Sequence, residues 1–288
     1  MLRPHPSSLF EAPSSIKRGM SLGDLYSPEA INLVANNFAE VVKGFDVNGF
    51  TNQAVHNAKG LPFKQKTSAI ASTLREYLPP EDQLALQAIS DSLGPKLKRT
   101  ENNGLQVFFY MPHSDLLSTF AVTPDTALFD RAVEVNLELT SRFTAEFSIR
   151  HFLEARFDRC LGILSNSIED SDPHIRRLIS EGTRPRLPWA KQLMQVRREP
   201  RMTLFILERL KLDPCRYVTR SVANHLADIG KDDLTLLLDI CKSWVDHAES
   251  HRLKDRESRE LLWIVRHALR YPSKKGSKDA MDIRIRAR

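Results

Sequence analysis

Residues 180–193 read SEGTRPRLPWAKQL, and this short stretch holds Glu181, Arg184, Arg186 and Trp189 around two prolines, Pro185 and Pro188. A ring and a carboxylate are what a site needs to recognise and stabilise positive charge, the ring through a cation–π attraction of about 0.5–2 kcal/mol. The prolines fix their own φ and restrict the residue before them, so the chain ahead of Trp189 has little freedom to lose on binding. Related residues recur at helical spacing. Arg142, Glu146 and Arg150 stand at i, i+4 and i+8, Arg177 and Glu181 at i and i+4, and Arg220, Asn224 and Asp228 at i, i+4 and i+8. On helices each set forms one stripe. Two readings fit that spacing. Arg–carboxylate ladders between adjacent helices can be structural pairs that set register. Alternatively the acids face a ligand, and since carboxylates in a groove for DNA weaken phosphate binding, they need a compensating purpose, such as stabilising a cation. A tryptophan is by default a core residue, and Trp244 and Trp263, within apolar helical runs, are assigned to the core.

The elements that must position these residues read as helices throughout. Segments with apolar residues at three- and four-residue spacing are separated by Asp-Pro, Pro-Pro and Gly-Pro signals. In SPEAINLVANNFAEVV, Ser27 is placed to cap and Pro28 to start a helix. LQVFFY at 105–110 is too short and too close to Pro112 to support a sheet. The pattern Arg-x-x-(Ala/Ser)-(Glu/Asn) repeats in RFTAE (142–146), RLISE (177–181) and RSVAN (220–224), with a weaker fourth copy in WIVRHALR (263–270). Units of this length predict an all-α, HEAT/ARM-like solenoid of stacked antiparallel helix pairs whose second helices line a concave groove.

Residues 1–19, rich in Pro and Ser, read as a disordered extension, with Met20 an alternative start; 20–270 form the repeat domain, and the basic 271–288 a frayed tail. Forty-two Lys+Arg against 36 Asp+Glu give +6, which favours a polyanionic partner. Three scattered cysteines form no disulfide framework or zinc knuckle, no apolar run suits a bilayer span, and the N-terminus lacks the apolar stretch of a signal peptide, so a cytoplasmic protein with no membrane partner is expected. His247 and His251 stand at i and i+4, but Glu249 is one place too late for His-Glu-x-x-His, so no metal is expected. Neither a phosphate-binding Gly-rich loop nor a local Ser-His-Asp signature is present.

Over residues 20–270 the sequence resembles the AlkC group of DNA alkylation repair glycosylases, within the HEAT-like superfamily shared with AlkD. The resemblance rests on ELTSRFTAEFSIRHFL (138–153), HIRRLISEGTRPRLPWA (174–190), RSVANHLADIGKDD (220–233) and WIVRHALR. It implies a monomeric, monofunctional glycosylase without cofactor or metal, acting on double-stranded DNA and hydrolysing the N-glycosidic bond of 3-methyladenine and related cationic bases. Glu146, Glu181 and Asp228 would be catalytic and Trp189 would touch the lesion. Apart from the resemblance, the basic stripes and the loop predict that Arg142, Arg150, Arg177, Arg184, Arg186 and Arg220 contact DNA, with Arg177 alternatively fixing Glu181. The alternative is a non-catalytic scaffold that binds DNA or protein through the same groove. Tyr271-Pro272 departs from the continuous helix usual in the family, and the immunoglobulin-like domain that follows in some members is not expected here.

Overall fold

The computed structural model describes residues 4–250 and 255–288. His251 and the first three residues of the expected extension lie outside them. The described residues are helical, with no strand, and the chain forms two compact units, Met1–Ile163 and Leu164–Arg288. The division falls inside a helix with no proline or polar linker to mark it in the sequence.

The first unit contains α1 (Pro28–Ala39), α2 (Val47–Ala58), α3 (Phe63–Tyr77), α4 (Asp82–Asp91), α5 (Met111–Ser118), α6 (Thr126–Thr140), α7 (Ser148–Ala155) and most of α8 (Phe157–Ser165). Helix α1 starts as its sequence dictates: Ser27 Oγ accepts from the Ala30 amide at 3.2 Å and Pro28 occupies the first turn, where a missing N–H costs nothing. LQVFFY forms a tight 3-10 turn, Gln106–Tyr110, that leads into α5. The N-terminal segment departs from its disordered expectation. Phe10 is buried against Tyr26 and Phe109, with ring centroids 6.4 and 5.7 Å away, and the Leu105 amide donates to the Pro13 carbonyl at 3.0 Å. One aromatic anchor outweighs a Pro/Ser-rich composition.

The second unit contains α9 (Pro173–Gly182), α10 (Met194–Arg198), α11 (Leu204–Leu210), α12 (Arg216–Ile229), α13 (Leu234–Ser250), α14 (Asp255–Ala268), α15 (Arg270–Lys274) and α16 (Lys278–Arg286). Helix α12 packs on α9 on one side and on α14 on the other, so three of the repeated segments are neighbours. Asp172 and Pro173 cap and start α9. Asp213-Pro214 acts differently: Asp213 accepts from Arg176 at 2.6 and 3.0 Å and ties the start of α12 to α9. The expected frayed tail is folded. Ala280 and Ile283 of α16 are buried, and Arg286 pairs with Asp246 and Glu249 at 2.7 Å each, which gives a basic segment both core and counter-charge.

Candidate functional site

Helix α9 meets α12 through small polar side chains. The Ser180 and Ser221 hydroxyls lie 3.0 Å apart, and the buried His225 bridges the Ser180 carbonyl (3.0 Å) and Thr203 (3.2 Å). Serines here let the two backbones approach while their hydroxyls remain satisfied. Glu181 follows Ser180 directly on α9, and Asp228 stands about one turn beyond His225 on α12; their carboxylates are only 5% and 2% exposed.

Arg184, the second residue beyond α9, turns inward between them. It donates through Nη1 to Glu181 Oε1 at 2.5 Å, and through Nε and Nη2 to Asp228 Oδ2 at 2.8 and 2.7 Å. The outer oxygens are also engaged, Glu181 Oε2 by Ser221 at 2.6 Å and Asp228 Oδ1 by Lys231 at 2.7 Å. Arg177 approaches Glu181 Oε1 at 3.4 Å and lies over the Tyr217 ring, 5.1 Å from its centroid. Burial by itself would raise the Glu181 pKa, but the charges of Arg177 and Arg184 and the hydrogen bond from Ser221 outweigh it and hold the carboxyl below its ordinary value. The result is a buried anion fixed before any ligand arrives.

The loop leaving α9 is pinned at both ends. Arg184 holds its start; further along, Arg186 pairs with Asp232, which also accepts from Arg197 Nε at 3.0 Å, and the Leu193 amide donates to the Pro185 carbonyl at 3.1 Å. Leu187 and Leu193 anchor it in the core. Between these clamps Trp189 is 63% exposed and adopts φ +65°, a left-handed conformation that costs an L-residue roughly 1–2 kcal/mol. A large apolar side chain both exposed and held in a strained backbone conformation is a common mark of a functional position. Pro185 and Pro188 signalled a stiff loop, whereas nothing in the sequence signalled the sign of φ.

The second unit therefore brings together Arg177, Glu181, Arg184 and Asp228, with the Trp189 loop mounted on them. Several expected roles need correction. Arg142 and Glu146 do not share a helical stripe with Arg150: they lie in the turn between α6 and α7, where the Arg142 and Phe143 amides both donate to the Leu139 carbonyl and end the helix. Arg142 donates to the carbonyls of Gly94 and Glu138 at 2.7 Å each, Glu146 accepts from Thr144 at 2.9 Å, and Arg150 is buried on α7. Arg184, expected at phosphates, is buried in the carboxylate pair, and Arg186 is bound to Asp232. Arg220 is exposed on α12. Lys231 was not singled out from the sequence; its place three residues after Asp228 is the only hint. Trp244 is core, with Nε1 donating to Glu208 at 2.6 Å, whereas Trp263 is half-buried under the Arg216 guanidinium, 3.8 Å from its ring. Among the described residues no group of three or more His, Cys, Asp or Glu is placed to hold a metal ion, and no helix is long and apolar enough to cross a membrane.

No protein-family model matches the chain. A Bacillus subtilis relative, the uncharacterized protein YhaZ, is 30% identical over 261 residues, which cover 90% of this chain and 67% of the relative. Among solved structures, the Pseudomonas fluorescens alkylpurine DNA glycosylase AlkC, bound to DNA containing an abasic site analog, superimposes with a TM-score of 0.76 at 30% identity, covering 92% of this chain and 67% of that one.

Proposed function

Because the chain belongs to the AlkC family, we propose that it is a monofunctional DNA glycosylase that hydrolyses the N-glycosidic bond of cationic alkylated bases such as 3-methyladenine. The observation that carries this reading is an exposed, strained Trp189 on a loop clamped to a buried anionic pair, Glu181 and Asp228. A ring alkylated at nitrogen is already positive. When the bond between C1′ and the glycosidic nitrogen breaks, the bonding electrons stay on that glycosidic nitrogen, conjugation with the alkylated ring cancels the positive charge, and the base departs neutral, so no general acid is needed. Positive charge then develops on the deoxyribose until water adds to C1′ and releases a proton to solvent. Anions fixed in a site of low dielectric stabilise that charge without reorganising. Trp189 offers its face to the cationic base, which favours it over a neutral one. The family resemblance assigns Glu146 an electrostatic role as well. The partner is alkylated double-stranded DNA and the setting the cytoplasm, with the protein acting as a monomer.

One observation favours the alternative of a silent scaffold binding DNA or protein: the carboxylates of Glu181 and Asp228 are both engaged, by Arg184, Ser221 and Lys231. Free-base release from methylated duplex DNA decides between the two. The glycosylase reading expects release well above the spontaneous rate. Duplex binding with no release would make the protein a scaffold.

A further inference from the structure

Beside the carboxylate pair, and wholly within the second unit, lies a cavity of about 660 Å³ lined among others by Lys231, Leu234, Tyr271, Pro272, Lys275 and Ser277. Tyr271 is 58% exposed and Leu234 40% exposed, so the cavity has an aromatic wall and an apolar one open to solvent. Lys275 places its ammonium 5.7 Å from the Tyr271 ring centroid, and Lys231 forms the other cationic wall. Among the described residues no carboxylate lines the cavity. The walls are held by a tight turn between α15 and α16. Gly276 takes φ +91°, the Ser277 amide donates to the Pro272 carbonyl at 3.1 Å, and Ser277 Oγ caps α16 by accepting from Ala280 at 3.3 Å. Tyr271 and Lys275 therefore project from a fixed frame.

An exposed ring and two ammonium groups, Lys275 and the Asp228-paired Lys231, complement a nucleobase linked to a phosphate. Aromatic platforms flanked by cations bind single nucleotides of a strand in this way, the ring taking the base and the cations the backbone. We propose that this cavity receives one nucleotide unit of a DNA strand, with its base against Tyr271 and its phosphate between Lys275 and Lys231. The proposal rests on the reading of the chain as a DNA-acting protein, and adds a contact outside the lesion site. Lys231 joins the two places physically, since its Nζ also holds Asp228 Oδ1 at 2.7 Å.

The test uses the full chain and reads binding only. With a labelled duplex carrying a tetrahydrofuran abasic analogue, Tyr271→Ala is expected to weaken binding by about 10-fold, while Tyr271→Phe retains it. Lys275→Gln is expected to lower the salt slope of binding by about one unit. In saturation-transfer NMR, dAMP base protons should receive saturation from the wild-type protein and lose it in Tyr271→Ala. Unchanged duplex affinity in folded Tyr271→Ala and Lys275→Gln would overturn the proposal. So would dAMP binding without any effect of either variant on duplex affinity, which would mean a site for free nucleotide. Binding of inorganic phosphate alone, undiminished in Tyr271→Ala, would mark a bare anion site and also overturn it. A protein that releases no base yet loses duplex affinity in Tyr271→Ala would keep this inference and remove the glycosylase reading; base release with unchanged affinity in the variants would do the reverse.

Discussion

At φ +65°, Trp189 is placed where glycine would be the easier choice. Retaining a tryptophan there sacrifices stability for presentation of the ring, and that trade is measurable. Trp189→Gly should melt above Trp189→Ala, by a margin worth about 1 kcal/mol, because both lose the exposed ring but only glycine relaxes the backbone. Both should lose excision of cationic bases much more than affinity for undamaged duplex; equal loss of the two would remove the ring from lesion recognition. The carboxylates behave differently because they are buried. Asp228→Asn keeps shape but leaves Arg184 and Lys231 facing a neutral amide, so its melting temperature should fall. Below that lowered melting point, single-turnover excision should still fall by roughly 10- to 1000-fold with duplex binding retained. Loss of binding and excision in parallel with stability would make Asp228 only a brace for Arg184. The same single-turnover measurement on Glu146→Gln tests the role that the family resemblance gives it.

Among the elements, α5 carries two titratable groups perturbed in opposite senses. His113 is fully buried beside Phe38, Phe109 and Tyr110, and burial lowers its pKa to about 3; Asn37 Nδ2 lies 3.1 Å from its Nε2, a contact in which the neutral ring accepts. Two residues on, burial raises the Asp115 pKa to about 6 against weaker opposing contacts from Thr67, Ser68 and Lys64. For His113 the unfolded chain takes up a proton first, so its contribution to stability is present above about pH 6.5 and drains away as pH falls toward 3. For Asp115 the folded chain holds the proton between pH 3.8 and about 6, so its contribution grows as pH falls through that window. Melting temperatures measured from pH 7.5 to 4 should therefore decline less steeply in His113→Asn and more steeply in Asp115→Asn than in the wild type; identical slopes would show that neither group governs acid stability. The start of α1 at Ser27-Pro28, the start of α9 at Asp172-Pro173, and the stripes 177/181 and 220/224/228 were legible because capping and 3.6-residue periodicity are local. The break at Arg142–Glu146 was not, since its residues match the repeat and only the closing of α6 on Leu139 separates them from α7. Nor was the pairing of Arg184 with Asp228, 44 residues apart, which exists only once α9 and α12 pack.

For the molecule as a whole, with its +6 net charge, the proposed duplex binding should weaken with salt, at about 0.9 logarithmic units of affinity per decade of salt for each phosphate neutralised. Which cations supply that slope is now a structural question. Arg142 is spent on two backbone carbonyls, Arg150 is buried, Arg184 lies inside the carboxylate pair, Arg186 is held by Asp232, and Arg177 sits between Glu181 and Tyr217. These side chains shape the protein, so replacing them should alter stability more than counterion release. Arg220 is exposed on α12. Arg220→Gln should reduce the magnitude of the salt slope by about one unit, whereas Arg142→Gln and Arg186→Gln should lower melting temperature and leave the slope near that of the wild type. Equal reductions at all three positions would show that the internal pairs open to meet phosphates when DNA arrives. Affinity independent of salt would remove DNA as the partner of this surface and direct attention to a protein ligand.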